Sequence, residues 1–97
     1  MLHNNYEISG IELRPEVKWF AEKMELKLRQ NDYLKGRTGW LKAELSDIAN
    51  SLESEMKEFD LAVDRNQSID AVLSEAADIG NFAMMAADLY ARGQRYE

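Results

Sequence analysis

The chain contains no cysteine, one proline and one histidine, His3. Without cysteine there is no disulfide, no zinc–thiolate centre and no thiol nucleophile. With its one imidazole in the opening segment, the chain lacks the Glu-x-x-His pairs of a di-iron carboxylate bundle. One proline and five glycines leave few places to interrupt a helix. No apolar run reaches membrane-spanning length, so no membrane association is expected. Met1 to Glu7 lack the basic start and apolar core of a signal peptide. Basic residues are also in short supply, at 12 against 18 acidic, for a net charge of −6. General nucleic-acid binding relies on Lys and Arg to neutralise phosphates and is not expected here. A single nucleotide is compatible, because a divalent cation can carry the phosphate contact.

What is present reads as one cytoplasmic, all-α domain. The 97 residues leave no room for a second domain. A chain this short buries a modest fraction of its surface, so an antiparallel bundle of about three helices is expected to be completed by oligomerisation. Residues 1–14 form a polar N-terminal arm, 15–91 the helical domain and 92–97 a polar, frayed tail. Pro15 suits the first position of a helix and Glu16 the positive end of its dipole. Val17, Phe20, Ala21, Met24 and Leu28 then recur at helical spacing to about Gln30, with Trp19 and Leu26 off the stripe. Asn31 to Trp40, with Gly36 and Gly39, reads as a loop.

The second helix carries the stripe Leu45, Ile48, Ala49, Leu52, Met56, Phe59, Val63 over roughly 24 residues. After the polar connection 64–67, Ser68 is placed as the N-cap of a third helix running from Ile69 to about Ala91. Its main stripe is Ile69, Val72, Leu73, Ala76, Gly80, Ala83, Ala87 and Tyr90. Ile79, Phe82, Met84, Met85, Ala86 and Leu89 make its C-terminal half apolar nearly all round. Such a helix is buried on every side, which in this short chain points to a partner copy packed on the third helix, with its small residues allowing close approach.

Two acidic pairs stand out, Glu55-x-x-Glu58 on the second helix and Glu75-x-x-Asp78 on the third. Spacing of i,i+3 puts each pair on one helix face. A connection of four to five residues makes the two helices antiparallel neighbours. Both pairs then lie at nearly the same height from the turn. Four carboxylates in one volume repel unless a cation sits among them, and all-oxygen ligands suit Mg²⁺ or Mn²⁺. Such a site fits phosphoanhydride hydrolysis, with an uncommitted carboxylate as base. In a chain that is 31% charged, each pair taken alone also reads as an ordinary solvated face.

At these residues the chain resembles the MazG-like, all-α nucleoside triphosphate pyrophosphohydrolases. Their signature is Glu-Glu-x-x-Glu, a variable linker and Glu-x-x-Asp. The runs FAEKMELKLRQND, KGRTGW and EAADIGNFAMMAAD look like small bacterial and phage-type members. The signature's leading glutamate is Ser54 here, and Glu53 is turned about 100° away from that position. The resemblance implies cleavage of a (deoxy)nucleoside triphosphate to monophosphate and pyrophosphate. It implies Glu55, Glu58, Glu75 and Asp78 as Mg²⁺ ligands and catalytic carboxylates, and a dimer or tetramer as the assembly. Substrate contacts are then sought at Lys35 and Arg37 for phosphate, at Trp40 and Trp19 for base stacking, and at Asn81 for a ligand oxygen. A solvated loop, core packing and an interhelical hydrogen bond are the respective structural alternatives. The competing function is a protein of the same fold that captures a nucleotide or nucleotide signal without cleaving it.

Overall fold

The computed structural model describes residues 10–35 and 39–96, with 34 and 35 described by backbone only. The described residues form three α-helices: α1 (Pro15–Lys35), α2 (Leu45–Asp64) and α3 (Ile69–Ala91). A single 3₁₀ turn, Gly39–Lys42, joins the first two by way of residues outside the described set. No strand occurs among the described residues. The all-α expectation holds, with two changes of boundary. α1 runs on through Asn31–Lys35, which read as loop, and α2 begins only at Leu45.

α3 is the central element, and both other helices pack on it. This arrangement bears on one expectation and corrects another. α3 is apolar on many sides because α1 and α2 of its own chain flank it, so that pattern alone does not require a second copy. Its most buried line is also not the stripe expected. Ala77, Asn81, Met85, Asp88 and Leu89 are buried, whereas Ile69, Ala83, Ala87 and Tyr90 are exposed. A line between two flanking helices loses water from both sides, whatever its polarity. The two polar members of that line have partners: Asn81 donates to the Met24 carbonyl at 3.0 Å and Asp88 pairs with Arg92 at 2.7 Å. Leu45, Ile48, Met85 and Leu89 form the apolar core.

Gly80 lies in close contact with the side chains of Met24 and Phe20 on α1. A Cβ there would stand 3.0 Å from Met24 Sδ and 3.1 Å from Phe20 Cε2, so only glycine fits the present spacing without movement.

The helix ends explain the connections. α2 stops in a Schellman turn: Gln67 N–H bonds the Ala62 carbonyl and Asn66 N–H that of Val63, with Asn66 left-handed at φ 51°. Ser68 accepts from Ala71 N–H at 3.1 Å, the cap expected for α3. α3 ends in a second Schellman turn, with Gly93 at φ 109°, Gln94 N–H on Leu89 O and Gly93 N–H on Tyr90 O. This turn aims Gln94 at the start of α2, where Glu44 supplies no side-chain cap. Gln94 Oε1 accepts from Leu45 N–H and its Nε2 donates to Ala43 O, both at 2.8 Å. The tail is therefore no frayed end at Gln94; it caps α2 from across the molecule.

Candidate functional site

The antiparallel packing of α2 and α3 brings the acidic motifs level. One carboxylate oxygen from each of Glu55, Glu75 and Asp78 lies within 4.8 Å of the others, and all three side chains are half-buried. Glu58, the fourth expected ligand, stays exposed and outside this trio. It remains close enough to act electrostatically on Glu55 and Asp78.

Three anions in this space leave chemical needs unmet. One oxygen of Glu55 and one of Glu75 are buried without a hydrogen-bond partner. Carboxylates only accept, so neither can satisfy the other until one takes a proton. Burial, then the hydrogen bond a protonated Glu55 gives Glu75, then the Asp78 charge and nearby Glu58 push Glu55 up from 4.5 to about 7. Asp78 is also raised, by burial above all, with Lys27 pulling the other way. Either a proton or a cation would relieve the cluster. An all-oxygen, partly buried set with orphaned oxygens fits a hard divalent cation.

Lys27 was not foreseen. From α1 its ammonium stands 3.6 Å from Asp78 Oδ2 and donates to the Ser74 hydroxyl. Its only signal in the sequence was membership of the FAEKMELKLRQND run; the contact depends on how α1 crosses α3. Ser54, at the position of the absent glutamate, is exposed, and Glu53 is occupied in an exposed pair with Lys57 at 3.9 Å.

The expected substrate contacts divide. Asn81 is buried and its amide nitrogen is committed to Met24 O, the interhelical bond among its alternatives, while its Oδ1 has no partner. The Lys35 side chain and Arg37 lie outside the described residues. Trp19 is 47% exposed and lines a shallow surface groove on α1 with Glu22, Lys23 and Leu26. Trp40 is half-buried, carries the Arg92 guanidinium 6.0 Å from its ring centroid, and lines a cavity of about 390 Å³. That cavity is bounded by α1, the 3₁₀ turn, α2 and α3.

No protein-family model, curated protein or solved structure matches the chain.

Proposed function

We propose that the chain is a divalent-metal-dependent hydrolase that converts a (deoxy)nucleoside triphosphate to its monophosphate and pyrophosphate. The supporting observation is the Glu55–Glu75–Asp78 cluster, with its buried, unpartnered oxygens. These three side chains would hold Mg²⁺ or Mn²⁺. When bound, the cation supplies polarisation of a phosphoryl oxygen and a lower pKa for an attacking water. Glu58, exposed at the edge of the cluster, is the carboxylate left to accept that water's proton as the Pα–O–Pβ bridge breaks and pyrophosphate leaves. Lys27 fixes Asp78 from the α1 side and lowers the repulsion within the cluster. In this reading the chain works as a homo-oligomer. Met56 and Val63 of α2, about half exposed, and Ala83, Ala87 and Tyr90 of α3 offer apolar surface for a second copy.

One observation favours the second reading, capture without cleavage. Among the described residues three carboxylates converge, and the signature's leading glutamate is replaced by the exposed Ser54. Pyrophosphate release from a panel of nucleoside triphosphates with Mg²⁺ separates the two. The hydrolase reading requires turnover that Glu55→Gln and Asp78→Asn abolish. Nucleotide binding without product would establish capture instead.

A further inference from the structure

The cavity beside Trp40 lies one helical turn from the acidic cluster along both α2 and α3. Along α2, Ser51 lies one turn before Glu55; along α3, Phe82 lies one turn after Asp78, and both residues line the cavity. The two helices are antiparallel, so these steps lead in the same direction. The cavity starts about 6 Å along the α3 axis from Asp78 and reaches about 10 Å at Met85. A pentose spans such an interval between the phosphates of a nucleotide and its base.

The lining suits a flat heteroaromatic ring. Leu28, Trp40 and Phe82 supply apolar and aromatic surface, and the volume of about 390 Å³ falls among small-ligand pockets. Arg92 packs on Trp40 while Gln94 holds Ala43, so the tail fastens this wall of the cavity. Two adjacent polar side chains at the end of α1, Asn31 and Asp32, also line it. The Asp32 carboxylate only accepts hydrogen bonds, and the Asn31 amide both donates and accepts.

From this juxtaposition we infer that the cavity binds the nucleobase and that Asn31 and Asp32 select a base bearing an exocyclic amino group. The inference rests on the nucleotide reading above. Cytosine and adenine each present an amino donor beside a ring-nitrogen acceptor, which Asp32 and Asn31 complement together. Guanine presents two adjacent donors to Asp32 and a carbonyl to the Asn31 amide. Thymine and uracil flank their one N–H with carbonyls, and a carbonyl facing a carboxylate is repelled. A hydrogen bond to a charged group corresponds to a preference of about ten- to a hundred-fold.

The test is calorimetric titration of the full chain with nucleoside monophosphates in the absence of divalent metal, beside pyrophosphate release from the matching triphosphates. dCMP, dAMP or dGMP should bind at least about ten-fold tighter than dTMP and dUMP. Asp32→Asn should erase that preference without weakening dTMP, and Asn31→Ala should reduce it, with circular dichroism confirming that each variant is folded. Equal binding of all bases, no binding of any, or a preference untouched in both folded variants overturns the assignment. Turnover without base preference would overturn the cavity's role and leave the hydrolase reading standing. Base-selective binding without turnover would do the reverse.

Discussion

Glu55 and Glu75 face each other with buried oxygens that neither can satisfy, so the cluster destabilises the metal-free protein. Replacing one acid by its amide tests this directly. The Gln side chain of Glu75→Gln can donate to Glu55, which removes a charge and completes a hydrogen bond. The metal-free variant at pH 8 should gain about 1 kcal/mol, or roughly 4–8 °C in melting temperature, while losing its response to Mg²⁺. A melting curve with and without the metal reads both effects. The pH dependence has a defined sign. Glu55 is raised from 4.5 to about 7, so the native state binds more protons than the unfolded chain within that interval. Stability of the metal-free protein should be greatest below about 4.5 in this contribution and fall as pH rises through about 7. Protons and a bound cation would compete for the same oxygens, so a Mg²⁺-induced rise in melting temperature should grow between pH 5 and about 8.

At the scale of elements, the helices and their caps were largely legible in the sequence. Ser68 and Pro15 marked two starts correctly because capping chemistry is local. The level placement of the acidic pairs was also legible, since a short connection and helical rise determine it. That Glu58 stays exposed beside the trio was not legible, because its exposure depends on how α2 is rotated against α3. The line of α2 facing α3 passes through Ile48, Glu55 and Ala62, to one side of the apolar stripe centre. Lys27 and Gln94 were invisible for the same reason: each acts across nearly half the chain or more. The Gln94 cap carries its own prediction. Gln94→Ala exposes the first turn of α2 and releases Ala43, and should cost about 1–2 kcal/mol by denaturant unfolding. Gly93→Ala should cost a similar amount, about 1–2 kcal/mol, because its φ of 109° is strained for any side chain.

For the whole molecule, α3 is both the structural axis and a carrier of the candidate site. α1 and α2 both pack on it, and the core residues Ile48 and Met85 also line the cavity one helical turn beyond the cluster. The core is small, so its members are individually expensive to remove. Leu89, fully buried, should cost about 2–5 kcal/mol on truncation to Ala, a large share of the stability expected of a chain this size. Gly80→Leu should force α1 from α3, at a cost of about 1–3 kcal/mol, and weaken metal binding by withdrawing Lys27 from Asp78.

The function proposed for this chain depends on Glu55, Glu75 and Asp78 holding a divalent metal. Thermal melting at pH 8 with increasing Mg²⁺ tests it most directly. The wild-type chain should gain stability approaching about 2.7 kcal/mol at a hundred times the dissociation constant, about 10 °C or more, and Asp78→Asn should gain none. An unchanged melting temperature in the wild-type chain, or an equal rise in Asp78→Asn, would contradict it.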